Sequence, residues 1–301
     1  MIIGVAGKIG SGKDITGIII QLLINGHSVE DALTKVNLHM NGKKLLWDKL
    51  CNWKIVKFAD KLKDIICILL GCTREQLESH DYKETPLGEE WWYYKLSKFY
   101  EKTYIESLDK SSTEYRGFAD LVDYNDFYTI PEHRQFYYQL IKPTPRLLLT
   151  CIGTECGRQI IHPNIWVNTT MNDYKSKFRK DDDFVHTELS DGSLVKWKDN
   201  PIWEPTHYPN WIITDLRFPN EAKSIKDRDG FIIRLQRLES DINNIKLLKA
   251  RTSSNPIILV KEHESETALD LYKFDYVVDN NGTIEDLIER IKEILLIEKI
   301  I

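Results

Sequence analysis

Residues 2–16 limit what this chain can become more than any other stretch: Ile2-Ile3-Gly4-Val5-Ala6-Gly7-Lys8-Ile9-Gly10-Ser11-Gly12-Lys13-Asp14-Ile15-Thr16. A short apolar run, a glycine-rich turn and then Ile and Leu at helical spacing predict strand, loop and helix in succession. That is the context in which G-x-x-x-x-G-K binds phosphate. Gly7, Gly10 and Gly12 let the backbone curl until successive N–H groups point at one anion. The helix opening near Lys13 turns the positive end of its dipole toward the same place, and Lys13 can reach the outer phosphates of a nucleotide. One position departs from the usual G-x-x-x-x-G-K-[ST]. Asp14 stands where the magnesium-binding hydroxyl normally sits, and Thr16 follows two residues later. A glycine-rich turn without a ligand is the alternative reading.

Downstream, Ile15, Ile18, Ile19, Leu22 and Leu23 give the helix an apolar face, and Asn25-Gly26 should end it. Residues 27–53 read as a surface excursion with some helix. Four later apolar runs read as buried strands: Ile55–Phe58, Trp211–Asp215, Phe231–Leu235 and Asp275–Val278. Helices are expected from Asp60 to Leu70, after the capping box Thr73–Gln76, from Thr144-Pro145, and after Thr283. Five short strands separated by helices predict an α/β fold, a three-layer α/β/α domain over residues 1–301 with a five-stranded parallel sheet. Ligands bind such sheets at the carboxyl ends of the strands. The loop, Asp60, Asp215 and Arg234 fall at or near those ends. Two decorations are expected. Residues 80–142, rich in aromatics and charges, read as a helical insertion whose aromatic cluster serves packing. Residues 180–208 read as a β-hairpin about Ser190-Asp191-Gly192-Ser193. The cationic stretch 237–251 reads equally as a mobile lid or a solvated loop.

Composition narrows the classes. The 301 residues are 42% hydrophobic, enough for a core, and the formal charge of −5 gives no basic field for stable nucleic-acid binding. No apolar run approaches the roughly 20 residues of a membrane span, and the first residues read as strand and loop rather than a signal peptide. Five cysteines without a C-x-x-C pair point to a reducing, cytoplasmic setting.

Phosphoryl transfer asks a site to hold donor phosphates, magnesium and acceptor together. Asp215, an acid closing an apolar strand, could hold a metal-bound water or take the acceptor's proton; a helix-capping role is the alternative. Arg146, Arg158, Arg217 and Arg234 could bind the acceptor phosphate or neutralise charge in flight, with salt bridges as the alternative.

The G-x-x-x-x-G-K-D loop resembles that of the bacteriophage-type deoxynucleoside monophosphate kinases. So do Phe58-Ala59-Asp60-Lys61-Leu62-Lys63, Arg146-x6-Gly153-Thr154-Glu155 with Pro163-x-x-Trp166-Val167, and Thr214-Asp215-Leu216-Arg217-Phe218-Pro219-Asn220-Glu221. His263-x-Ser265-Glu266 also fits. The likeness runs over most of the chain, except much of 95–140 and 175–208. It implies a P-loop kinase that moves the γ-phosphate of ATP to a deoxynucleoside 5′-monophosphate. Ser11, Lys13 and Asp14 would then serve ATP and Mg2+, with Asp14 as the metal ligand. Gly7, Gly10, Gly12, Ile15 and Thr16 would complete the loop. Lys83, Arg146, Gly153, Thr154, Trp166, Asp215 and Arg217 would surround the acceptor, with Lys13, Arg146, Asp215 and Arg217 closest to the chemistry. The two decorations depart from the compact pattern and leave acceptor range and a homodimer open. Three other readings compete: a P-loop kinase acting on a modified base in DNA, a kinase of a small phosphorylated metabolite, and a non-enzymatic nucleotide-binding module.

Overall fold

The computed structural model describes residues 1–43, 51–97, 108, 120–175, 185–188, 194–197, 208–238 and 267–301. The chain divides into two compact units, one of Met1–Lys61 with Asn164–Ile301 and the other of Leu62–Pro163. In chain order the strands are β1 (Ile2–Ala6), β2 (Trp53–Val56), β3 (Tyr93–Leu96), β4 (Leu121–Asp123), β5 (Tyr138–Ile141), β6 (Val185–Glu188), β7 (Leu194–Trp197), β8 (Asn210–Leu216), β9 (Phe231–Gln236) and β10 (Tyr276–Asp279).

The first unit is built on the five expected strands. They pair in the order β10-β9-β1-β8-β2, every neighbour parallel. β1 is buried along its whole length, as a strand covered on both faces must be. On one face lie α1 (Lys13–Ile24), α2 (Val29–Met40) and the final helix Ile284–Ile297. There Ile19, Leu22, Val36, Ile288 and Leu295 pack over Val5, Ile212 and Ile233. On the other face the helices Ile165–Met171 and Pro219–Lys226 place Val167, Met171, Ala222 and Ile225 over Ile2, Ile213 and Ile232. The segment after α1 is more than a surface excursion. Val29, Ala32, Leu33 and Val36 recur at helical spacing, and Ala32 and Val36 are fully buried. The end signals read in the sequence hold: Gly26 is left-handed behind α1, and Thr283 caps the final helix with Asp286 returning the bond.

The second unit starts within α3 (Asp60–Leu70), the helix that leaves the first unit, and runs through the capping box at Thr73. Where helices were expected over 80–142, the structure has three short antiparallel strands in the order β4-β3-β5 beside short helices at His80–Glu84 and Glu132–Gln135. The reason lies in Tyr93 and Tyr94, aromatic residues that suit a half-buried pleated surface. The Tyr94 and Phe127 rings stack with centroids 3.5 Å apart, and Lys142 lies over the Trp92 ring. Among the described aromatics Trp92, Tyr94 and Phe127 serve packing, while Tyr128 and Phe136 are exposed. β6 and β7 pair antiparallel as the hairpin expected within 180–208. Its turn lies outside the described residues, as do most of 237–251 and His263–Glu266.

Thr144 caps the helix at Pro145, as the sequence suggests. That helix does not stop at Gly153. It widens into i→i+5 winding over Cys151–Ile161, closed by the bond from His162 N–H to the Gly157 carbonyl at 2.9 Å.

Gly17 shows how tightly the first unit is assembled. A Cβ there would lie 2.6 Å from Thr214 Cγ2 and 3.4 Å from Ile55 Cδ1. Gly17→Ala gains up to about 1 kcal/mol of helix propensity, while overpacking costs about 1–3 kcal/mol. The variant is expected to be less stable by about 1 kcal/mol in urea unfolding, on these terms.

Candidate functional site

β1 lies between β8 and β9, so the connections leave the middle of the sheet in opposite directions. The crevice beyond the carboxyl end of such a strand is where open α/β sheets bind ligands. Gly7 (φ +154°), Gly10 (φ +80°) and Gly12 (φ +96°) carry the chain across this crevice into α1 in backbone conformations that other residues resist. No side chain caps α1 at Gly12, so the amides of the first turn remain available to an anion. Lys13 folds back over the loop and donates to the carbonyls of Gly7 and Lys8, each at 2.7 Å. Phosphate oxygens accept more strongly than carbonyls, and the flexible stem lets the ammonium exchange one set for the other.

The remaining loop residues divide by direction. Ser11 is 1% exposed and presses against Gly7; its Oγ has no hydrogen-bond partner among the described residues. Thr16 is buried, and its hydroxyl donates to the Gly12 carbonyl at 3.1 Å. Ile15 packs against the core. Ile15 therefore offers a ligand its backbone rather than its side chain, while the Thr16 amide as well as its hydroxyl is taken by the Gly12 carbonyl, the amide at 2.9 Å. Asp14 behaves differently. Its side chain is 67% exposed, yet Oδ1 accepts from the Thr214 hydroxyl at 2.8 Å and pairs with Lys57 Nζ at 2.7 Å. Desolvation pushes the Asp14 carboxyl up, but Lys57, Thr214 and Lys13 together hold it below the ordinary carboxylate value.

A register shift places Thr214 and Asp215 together against β1. Gly4 pairs with Ile213 and Ala6 with Leu216, so two residues of β8 face Val5 alone. Alternation sends the two side chains to opposite sides, and the bulge sets both residues against the same point of β1. Thr214 turns toward α1. Asp215 turns toward β2, where Oδ1 accepts the Phe58 N–H and Oδ2 the Ala59 N–H, each at 2.9 Å. Burial pushes the Asp215 carboxyl up, and these two amides, Arg217 and Lys57 pull the other way. Asp215 thus ties β8 to the turn that opens α3. In the same turn Asp60 accepts the Lys57 N–H at 3.0 Å.

After β8 the amides of Arg217 and Phe218 both donate to the buried Glu221 carboxylate, which closes the start of the following helix. This fixes the backbone from which the Arg217 side chain leaves. Trp166 is only 5% exposed. Its helix is linked to that of Asn220 by the Asn220–Asn164 bond of 2.7 Å. Arg234 on β9 pairs with Asp270 and lies over the Phe274 ring, which is the salt-bridge alternative weighed for it. Lys83, Arg146, Gly153 and Thr154 belong to the second unit. Arg146 Nε bonds the Glu84 carboxylate. Burial lowers the Lys83 ammonium, with Lys63 and Arg146 adding to the effect and Glu78 opposing it. Gly153 is buried against Leu62, whose methyl would lie 2.8 Å from an added Cβ.

Three side chains of the first site escaped sequence reasoning. Lys57 read only as a strand residue, and Thr214 only as part of a motif. Asn280 read as a turn. Its Nδ2 donates to the Ser11 carbonyl at 2.8 Å and lies 2.8 Å from where a Gly12 Cβ would stand, clasping the loop from the end of β10. The Asn-Asn-Gly sequence after a buried strand was the available signal.

Among the described residues no three His, Cys, Asp or Glu side chains gather as a ready-made metal centre, and no helix is long and apolar enough to cross a membrane. No protein-family model matches the chain. It is similar to the deoxynucleoside-5′-monophosphate kinase of Escherichia phage T5, with 22% identity over 189 residues, 59% of this chain and 60% of that protein. The chain thus spans 60% of the length of this distant kinase relative.

Two outcomes follow from the geometry. Asp215→Asn places an amide NH2 against a backbone N–H, and the loss of one buried acceptor costs about 1–3 kcal/mol of stability in urea unfolding. Lys57→Met moves the Asp14 carboxyl titration, followed by 13C NMR, to higher pH. The sign is set by the depressed folded value. Asp14 stabilises the fold above the ordinary carboxylate range, and that contribution fades as pH falls through the folded value. Lys57→Met shrinks this acid-sensitive window.

Proposed function

We propose that this protein is a nucleotide kinase that transfers the γ-phosphate of ATP to a deoxynucleoside 5′-monophosphate. The observation that carries the reading is the glycine loop at the topological switch point, with Lys13 and the uncapped first turn of α1 directed at one anion position. The distant phage relative supports the acceptor class. The acidic overall balance speaks against DNA as the acceptor.

In this reading the loop amides and Lys13 hold the donor phosphates. Magnesium fits the donor set: Asp14 keeps Oδ2 without a partner among the described residues on an exposed side chain. The ion characteristically takes one or two carboxylates together with substrate phosphates. Bound there, it neutralises charge that spreads over the transferring phosphoryl oxygens. Asp215 holds the β2–α3 turn, and Arg217 presents its fork from a backbone fixed by Glu221. Lys83 and Arg146 are the cations of the second unit assigned to the acceptor's phosphate. The burial-lowered Lys83 ammonium gains most from an anionic ligand.

The test is ATP consumption against a panel of deoxynucleoside and ribonucleoside monophosphates, oligonucleotides and phosphorylated metabolites. Turnover confined to deoxynucleoside monophosphates supports the reading; turnover confined to oligonucleotides or metabolites overturns it. Lys13→Ala is expected to fold and to lose about 10³-fold or more in kcat, as removal of a transition-state charge clamp does. More than a tenth of normal turnover in that variant would remove the loop from the chemistry.

A further inference from the structure

In phosphate loops of the usual pattern, magnesium is held by a hydroxyl on the loop and an acid at the end of the neighbouring strand. Here the two chemistries stand on opposite elements. The carboxylate, Asp14, is on α1; the hydroxyl, Thr214, is on β8; and the hydroxyl donates to the carboxylate at 2.8 Å. The strand acid that could have taken the usual role, Asp215, has both oxygens on the amides of Phe58 and Ala59. Alternation along β8 sends Thr214 one way and Asp215 the other, and the bulge between Ile213 and Leu216 sets both against Val5.

We infer that the hydroxyl–carboxylate pair has been exchanged between loop and strand. Thr214 and Lys57 are positioning residues that fix Asp14 Oδ1 and so direct Oδ2 at the divalent cation accompanying a nucleotide's phosphates. The geometry supplies each part. Oδ1 takes two donors, one from β8 and one from the end of β2, so the carboxylate cannot rotate freely. The side chain remains 67% exposed, leaving Oδ2 reachable. A carboxylate in place of a neutral hydroxyl also adds negative charge beside the phosphates. The Lys57 ammonium at 2.7 Å offsets it. Gly17 lets Thr214 come this close to α1, since a Cβ there would meet its methyl at 2.6 Å.

The inference rests on the nucleotide-binding part of the proposed function and not on the identity of the acceptor. Its test is the affinity of a fluorescent ATP analogue with and without Mg2+, backed by electron paramagnetic resonance of Mn2+ titrated with nucleotide. Melting temperature serves as the folding control. Thr214→Val and Lys57→Met are each expected to weaken the metal-dependent gain in affinity by about tenfold or more, as loss of a ligand's orienting partner does. Thr214→Val should leave metal-free affinity unchanged, whereas Lys57→Met, which uncovers the Asp14 charge, should also lower it; Lys57→Arg should recover most of both losses. Asp14→Thr and Thr214→Asp alone should each lose the gain; the double exchange should restore most of it. A folded Thr214→Val with the full Mg2+ enhancement overturns the inference. So does a folded double exchange no better than its weaker parent, or a wild-type protein whose nucleotide affinity ignores Mg2+. If the double exchange does not fold, Thr214→Val and Lys57→Met decide. A wild type that responds to Mg2+ yet phosphorylates no deoxynucleoside monophosphate overturns the proposed reaction and leaves the exchanged pair standing.

Discussion

A parallel sheet delivers the carboxyl ends of all its strands to one edge, and in this protein everything at that edge depends on how the chain leaves β1. Three glycines in left-handed backbone take the loop over the strand end. Lys13 and Ser11 bond the loop from within, through the carbonyls of Gly7 and Lys8, and neighbouring strand ends hold it from outside. Asn280 from the end of β10 holds the Ser11 carbonyl, and Thr214 from β8 holds Asp14 at the start of α1. The loop is therefore braced from both sides of β1, which is how a site gains precision from rigid elements rather than from the loop itself.

Neighbouring positions on β8 serve the two acids differently. Thr214 and Asp215 point to opposite sides, as alternation along a strand dictates. Both stand against Val5, and one reaches α1 while the other reaches the β2–α3 turn. Asp215 is fixed by two amides and partly desolvated, a state suited to anchoring backbone. Asp14 is exposed, directed through one oxygen only, and kept ionised by Lys57. Their surroundings thus separate the two carboxylates that the sequence offers at this end of the sheet.

The sequence made some of this legible and hid the rest for physical reasons. The five strands, the glycine loop and the helix caps at Thr73, Thr144 and Thr283 could be read because each rests on local chemistry: buried β-branched runs, positive-φ glycines and side chains that bond nearby amides. The strands at Tyr93–Leu96 and Tyr138–Ile141 carry no such local signal. Their pairing partners lie tens of residues away, and the aromatic stack of Tyr94 on Phe127 exists only after the pairing. Lys57, Thr214 and Asn280 were invisible as site residues for the same reason. Asp14 and Thr214 are separated by 200 positions, and Asn280 and Ser11 by 269. Asp215 read as a strand-end acid because a register shift carries no local signature.

The acid at position 14 then makes physical sense as one half of a balanced pair. A carboxylate binds a hard cation more tightly than a hydroxyl does, yet beside the phosphates of the proposed nucleotide it would raise the like-charge repulsion that the loop amides and Lys13 would have to overcome. In the proposed reading, a chain carrying Asp there needs a second cation close to it but away from the oxygen assigned to the metal. Lys57 meets both conditions, because its ammonium binds Oδ1 from the end of β2, while its backbone N–H is held by Asp60. The same Lys57 also lowers the Asp215 carboxyl. One ammonium at the end of β2 therefore offsets charge on both acids beside the glycine loop, which ties the unusual loop residue to the strand beside which it folds.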